Sequence, residues 1–230
     1  MANVAFRIGD LVASRDIAAP SRSTLPGRTV TLAPLDPDIH APALFKATQG
    51  PGADPHMWDY LGYGPFADLA DFTHTVREFA GSDDPLWYSF LDTVTGEPLG
   101  AGGYLRIDRA NRVIEIGHLL FGAGMQRSTT ATETIYLLLR NAFELGYRRV
   151  EWKCNDLNER SRRAALRFGF TYEGTFRQHM IIKGRNRNTA WFAITDGDWP
   201  AIERRYIAWL SPQNFDEHGQ QRQRLDSDAG

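Results

Sequence analysis

The stretch that most constrains this chain is Gly124–Leu145, GMQRSTTATETIYLLLRNAFEL. A loop of small residues passes directly into a helix with an apolar stripe at Ile135, Leu138, Leu139 and Ala142, and a strand-like run, Arg112–Phe121, leads into it. Thr130 followed three places later by Glu133 has the form of a capping box, which predicts a helix start near Ala131. A strand, a small-residue loop and a helix N-terminus together present backbone N–H groups to a phosphate. A chain built around such a unit needs a sheet to carry the strand and a second face to bury the stripe.

The rest of the chain supplies both. Arg28–Leu35 alternates as a first strand, and a helix is predicted over Asp36–Thr48, with Ile39, Leu44 and Ala47 inward and Pro42 in its first turn. Gly50–Pro65 is a loop rich in glycine, proline and aromatics, and a second helix, Ala67–Ala80, places Leu69, Phe72, Val76 and Phe79 on one face. Leu86–Thr93, Leu99–Ile107 and Arg112–Phe121 read as an antiparallel meander. After the capped helix come a strand at Arg148–Cys154, a helix at Asn158–Phe168, and strands at Phe170–Met180 and Asn188–Thr195 joined through a basic loop. A last helix is capped by Asp198, with Ile202, Tyr206 and Trp209 inward. The expected organisation is one α+β domain over residues 28–210, an extended arm over 1–27 with an apolar run at Val4–Ile8, and a disordered tail over 211–230.

Composition excludes several classes. A net charge of -2 gives no reason to expect a nucleic-acid partner. No apolar run approaches the ~20 residues that span a bilayer, and the first residues lack a basic segment followed by an apolar core. The single cysteine, Cys154, forms no intrachain disulfide and alternates with Val150 and Trp152 on a buried strand face, so an acyl-cysteine route is disfavoured. The six histidines and one cysteine show no metal-ligand spacing. The expectation is a cytoplasmic protein with no metal and no membrane partner.

The element order and three local patterns resemble the GNAT superfamily of acyl-CoA-dependent N-acyltransferases over roughly residues 28–195. Gln126-Arg127-Ser128-Thr129-Thr130-Ala131 is similar to the family's Gln/Arg-x-x-Gly-x-Gly/Ala loop, with Thr129 at the first glycine position. Asn158-Glu159-Arg160-Ser161, followed by Arg167-Phe168-Gly169-Phe170, resembles the Asn-x-x-Ser…Gly-Phe segment of the subgroup containing the ribosomal-protein N-terminal alanine acetyltransferases. Glu115, eleven residues before Gln126, stands where many members carry a general-base glutamate. The implied fold is a mixed, mostly antiparallel central sheet with helices on both faces, and the implied co-substrate is acetyl-CoA.

The resemblance also distributes roles. The N–H groups of Gln126, Arg127, Ser128, Thr129, Thr130, Ala131 and Thr132 would hold the CoA pyrophosphate, those of Leu119, Leu120 and Phe121 would polarise the thioester carbonyl, and Asn158 would bond the pantetheine arm. Ser161 would protonate the departing thiolate, since the tyrosine many members use is replaced by Ala165. A thiol with a pKa of about 8.5 needs only modest help to leave, whereas an alkyl amine near 10 needs a base. Glu115 is ranked first for that base and His118, expected on the opposite strand face, second. Trp58, Asp59, Tyr60 and Arg185 would form the acceptor side, although Trp58 and its aromatic neighbours read more readily as a packing lid over the core. The basic run of Arg177, Lys183, Arg185 and Arg187 could read a carboxylate-bearing acceptor or lie solvated. The acceptor is a primary amine, on a protein N-terminus or a small molecule, and a homodimer is compatible with the arm and last helix. The alternative from another class is a non-catalytic CoA-binding module.

Overall fold

In the computed structural model, which describes residues 9–225, the elements run β1 (Leu25–Pro26), β2 (Val30–Pro34), α1 (Pro37–Gln49), α2 (Leu69–Gly81), β3 (Leu86–Asp92), β4 (Pro98–Asp108), β5 (Val113–Phe121), α3 (Thr129–Glu144), β6 (Arg149–Asn155), α4 (Glu159–Arg167), β7 (Thr171–Ile182), β8 (Arg185–Thr195) and α5 (Trp199–Leu210). The strands form one sheet in the order β1-β2-β3-β4-β5-β6-β8-β7, antiparallel throughout except where β5 meets β6. The Val4–Ile8 run lies outside the described residues.

Strand alternation assigns the two faces. Leu86, Tyr88 and Phe90 of β3 join Tyr104, Ile114, Ile116 and Val150 in a core with the α3 stripe Ile135, Leu138, Leu139 and Ala142, and with Tyr206 and Trp209 of α5. Trp87, between them, points the other way and joins Ala101 and Leu120 against Ala41 and Leu44 of α1 and Phe72 and Val76 of α2. Helices therefore cover both faces. Gly146 (φ +94°) and Gly169 (φ +92°) hold the left-handed conformation that stops α3 and α4.

Local chemistry moves several expected ends. Ser128, not Thr130, caps α3: its Oγ accepts from Ala131 N at 3.1 Å. Glu133 makes no capping box because its buried carboxylate is used elsewhere, accepting from Arg28 N and Thr29 N, both at 2.7 Å, and from Thr29 Oγ1 at 2.5 Å. It thereby staples the chain entering β2 to α3. Pro37 rather than Pro42 opens α1; Pro42 falls in the second turn, where the bond it omits would have gone to the exposed Asp38. Ile39 is solvent-exposed, and His40 turns inward instead, its Nδ1 accepting from Asp36 N at 3.0 Å. Asp198 occupies the N-cap of α5 without capping it, because its carboxylate accepts from Thr195 N and Oγ1 at 3.1 and 2.6 Å.

The segments on either side of the sheet, as far as they are described, pack on the domain. Ile17 of the arm is buried, its carbonyl accepts from Arg109 Nε at 2.7 Å, and Tyr88 Oη donates to Ser21 O at 3.1 Å. The segment after Ser211, expected as a disordered tail, is folded as far as it is described. Asn214 is buried, donating through Nδ2 to Trp209 O and accepting from Gln223 N, and Leu225 joins the core. The polar composition concealed this because one buried asparagine, rather than an apolar stripe, organises the turn.

The Glu133 staple gives a test. Glu133→Ala leaves three donors without their acceptor and is expected to lower unfolding free energy by about 2–4 kcal/mol in urea titration. Glu133→Gln, which keeps one acceptor oxygen, costs less than half of that.

Candidate active site

The parallel ladder between β5 and β6 has only three pairs, Val113↔Arg149, Ile114↔Val150 and Glu115↔Glu151. Beyond Glu115 both strands continue, to Phe121 and Asn155, without pairing to each other. The two strands thus part in a wedge that begins at Glu115, and the Asn158 N-cap of α4 follows β6 at its far end. The wedge leaves β5 backbone groups facing β6 without a cross-strand partner.

A bulge helps open it. The β4–β5 register shifts between Gly103↔Gly117 and Ala101↔Leu120, and His118 takes a left-handed φ of +54° in that interval. Gly117 marks the bulge, as a glycine in a strand often does; a Cβ there would lie 2.8 Å from Leu105 Cδ2 and 3.2 Å from Glu115 Oε1. The bulge also overturns the opposite-face placement of His118. Its ring lies 4.9 Å from Trp87 and 5.6 Å from Tyr63, on the face that Trp87, Gly103, Gly117 and Glu115 share through their register. Glu115 and His118 are therefore on one side of the sheet.

Glu115 is buried, and two cations hold one of its oxygens: Oε2 accepts from Arg106 Nε at 2.7 Å and lies 3.4 Å from Lys153 Nζ. Among the described residues nothing donates to Oε1. Burial pushes this carboxyl above its usual range, with Lys153 and then Arg106 opposing the shift. Arg106 reaches it from a second bulge, where its own φ is +49° and Asp84 accepts from its N–H at 2.7 Å. Its guanidinium also bonds Glu151 and lies 4.5 Å from the Trp191 ring centroid. His118 forms a 3.1 Å hydrogen bond with Tyr63 Oη, and burial, then Lys153 and Arg187, pushes its imidazole down to about 4, so it is neutral at pH 7.

On the other side of the sheet, Asn158 Oδ1 accepts from Ser161 N at 3.1 Å, and Ser161 Oγ accepts from Trp152 Nε1 at 3.0 Å. Cys154 is a buried thiol beside Ser161, pushed up by that burial. In the loop before α3, Gln126 Nε2 donates to Phe121 O at 3.2 Å, and Ser128 Oγ donates to Met125 O at 2.6 Å. The N–H groups of Arg127, Thr129 and Thr130 meet no acceptor among the described residues, whereas Gln126, Ser128, Ala131 and Thr132 N–H groups are satisfied. The left-handed residue of this loop is Arg127, at φ +58°, not Thr129, which is the first residue of the helix. A glycine at Thr129 is therefore not required by backbone conformation. Three free N–H groups at the start of a sixteen-residue helix suit a pyrophosphate.

The expected acceptor residues are only partly there. Trp58 is buried among Tyr63 and Phe66, so it serves as packing; Asp59 is taken up by His56 at 2.9 Å. Tyr60 Oη donates to Leu157 O at 3.2 Å and Lys183 Nζ to Trp58 O at 2.8 Å, tying the aromatic loop to the start of α4 and to the β7–β8 turn. Arg185 is exposed at the start of β8. The polar groups around Glu115 come instead from Arg106, Glu151, Lys153, Arg187 and Trp191. Their sequence signal was the complement of the buried alternation: with Val150, Trp152 and Cys154 inward, Arg149, Glu151 and Lys153 fall together on the other face. Among the described residues no three His, Cys, Asp or Glu side chains gather as a metal site, and no helix is long and apolar enough to cross a membrane.

Fold and wedge together define an acetyltransferase architecture, and residues 29–171 match the acetyltransferase (GNAT) domain family. The chain belongs to that family. It is 44% identical to a GCN5-related N-acetyltransferase from Brucella melitensis over 91% of this chain and 95% of that one, with a TM-score of 0.88. It is 38% identical to a probable acetyltransferase (GNAT family) from Chromobacterium violaceum, over 86% and 98% of the two chains, at a TM-score of 0.78. The microcin C7 self-immunity acetyltransferase MccE, solved with acetyl-CoA and AMP, shares the fold at 20% identity and a TM-score of 0.60, over 74% of this chain and 93% of that one. No curated protein matches the chain.

The His118 environment sets a pH dependence. The unfolded imidazole titrates near 6.5 and the folded one near 4, so the unfolded state binds more protons between those values and stability falls as pH drops through that window. Glu115 acts in the opposite sense, since a raised folded carboxyl loses its advantage as pH rises, and it is common to wild type and a His118 variant. Between pH 7.5 and 5.0, wild type is expected to lose about 1–2 kcal/mol more than His118→Gln in urea titrations.

Proposed function

We propose that the protein is an acetyl-CoA-dependent N-acetyltransferase that moves an acetyl group directly to a primary amine, on a protein N-terminus or a small molecule, without a metal. The observation that carries this reading is the wedge between β5 and β6, with a buried carboxylate at its origin and free helix N-terminal amides beside it. When bound, acetyl-CoA supplies an activated thioester. The N–H groups of Arg127, Thr129 and Thr130 hold its pyrophosphate, and the backbone groups that the Leu119–Phe121 stretch turns toward β6 line the wedge for the acyl arm.

Glu115 is the base. Its Oε1 is open while Oε2 is anchored, and burial raises its proton affinity toward what an ammonium requires. Lys153 and Arg106 fix the carboxylate so that only Oε1 takes up a proton, directly or through water. His118 is a neutral, poorly basic imidazole and serves as a polar wall. On the opposite face Ser161 Oγ holds the proton destined for the thiolate, and because Trp152 Nε1 donates to that oxygen, the hydroxyl keeps its own hydrogen to donate. The pattern of Asn158 and Ser161 supports a relationship with the subgroup that acetylates ribosomal-protein N-termini.

Calorimetry with acetyl-CoA and a free-thiol assay over a pool of amines test this. Glu115→Gln is expected to lower kcat/KM by about 10²–10³ and Ser161→Ala by about tenfold, each with acetyl-CoA affinity changed by less than about threefold. Acetyl-CoA binding without thiol release from wild type would instead identify a non-catalytic CoA-binding module.

A further inference from the structure

The helices α1 and α2 pack over β3 and β4 and leave the same face of β6, β8 and β7 uncovered by helix among the described residues. Arg149, Glu151 and Lys153 of β6 stand on that face, opposite Ala193 and Trp191 of β8, and Arg187 and Thr189 follow on β8 by the same alternation. The charges there pair almost completely. Arg106 bonds Glu115 and Glu151, Lys153 bonds Glu115, and Arg149 bonds Glu151 at 2.8 Å and Glu173 at 2.5 Å. Around Glu115 that sets four cations (Arg106, Arg149, Lys153, Arg187) against three carboxylates (Glu115, Glu151, Glu173), and of these four Arg187 alone forms no ion pair; Arg185, next on the same alternation, is solvent-exposed.

Arg187 is not a loose surface arginine. It is partly buried, and its Nε donates to the Oγ1 of the fully buried Thr189 at 3.2 Å. The same hydroxyl meets His179 Nδ1 at 3.0 Å, so one buried threonine orients both the guanidinium and the imidazole. The two terminal nitrogens of the guanidinium make no bond to any described residue. His179, which shares the Thr189 hydroxyl with Arg187, lies 6.0 Å from the Trp191 ring, and Trp191 carries Arg106 at 4.5 Å and Lys153 at 5.5 Å, the two cations on Glu115, so Arg187 stands on the Glu115 side of the wedge. Its charge also contributes to the lowered proton affinity of His118. A guanidinium keeps its charge at any ordinary pH, so partial burial without a counter-charge is costly until an anion arrives. Its planar pair of terminal N–H donors matches a carboxylate bidentately.

We infer that Arg187 is the specificity-determining residue for the acceptor, docking a carboxylate carried by the substrate amine beside Glu115. This rests on the acetyl-transfer reading above and narrows its acceptor to amines that bear a carboxylate. Lys153 and Arg106 are not available for that task, because Glu115 and Glu151 already occupy them. A polyamine would instead add positive charge to a face that already has one cation in excess.

Matched acceptor pairs test the inference in a thiol-release assay: glycine against glycinamide for a small-molecule carboxylate, and Asp-Ala-Ala-amide against Asn-Ala-Ala-amide for an acidic peptide N-terminus. In at least one pair wild type is expected to favour the carboxylate by about tenfold or more in kcat/KM, chiefly through KM, and the pair that shows it identifies the source. Arg187→Gln should bring that ratio to within about twofold of one, and Arg187→Lys, which keeps charge but loses the fork, should leave it in between. Ratios near one for wild type in both pairs, or a preference that survives in Arg187→Gln, overturn the inference while leaving acetyl transfer standing. If no amine is acetylated, the acetyl-transfer reading fails by itself, and calorimetry of aspartate with the CoA-saturated protein decides the remaining point. Binding that Arg187→Gln abolishes supports the carboxylate site, and absence of binding to wild type refutes it. Thermal melts of both variants establish that they fold.

Discussion

Everything at the site follows from where β5 and β6 stop pairing. Three parallel pairs join the two halves of the sheet, and the third, Glu115↔Glu151, sets two carboxylates side by side at the point of separation. Like charges in that position would repel in a buried setting. Arg106 bonds both, and Lys153 and Arg149 flank them, so the origin of the wedge is held by an ionic lattice rather than by apolar packing. Breaking one member of such a buried network exposes the desolvation cost of the others. The lattice therefore fixes Glu115 in place while leaving one of its oxygens open.

Backbone strain accompanies this arrangement. Arg106 and His118, both non-glycine residues with positive φ, lie in the two bulges of the β4–β5 ladder. Each such residue costs on the order of 1–2 kcal/mol, and strain of this kind collects at functional sites. The first bulge turns a cation onto the paired carboxylates, and Asp84 accepts the N–H groups it exposes, Arg106 N at 2.7 Å and Ile107 N at 3.1 Å. The second brings His118 to the Glu115 face. A regular strand would have placed these two side chains on opposite faces.

That difference explains what the sequence could and could not reveal. Periodicity located the meander, the α3 stripe and the buried alternation of Val150, Trp152 and Cys154, because those depend on one-residue-at-a-time burial. Glu115 stood out through its position relative to Gln126. The bulges did not, since a positive φ at arginine or histidine leaves no compositional mark, and they decide the facing of His118 and the reach of Arg106. Long-range pairing was equally hidden: Glu133 looked like a cap but holds Arg28 and Thr29, and Asp59 looked available but holds His56. Lys153 carried no signal of its own, and Arg187 was readable either as a carboxylate reader or as solvated charge; the register of β6 and β8 puts both on the face of the buried glutamate.

The central claim is that the wedge beyond Glu115, with the loop before α3, receives acetyl-CoA. Amide hydrogen exchange with and without acetyl-CoA tests it most directly, because the groups involved are backbone N–H groups, which side-chain truncation leaves in place. The account predicts slowed exchange at Arg127, Thr129 and Thr130 and along Leu119–Phe121 when acetyl-CoA is added, with little change along the outer strand β7. Unchanged exchange in both segments at saturating acetyl-CoA, or protection confined to another part of the sheet, would contradict it.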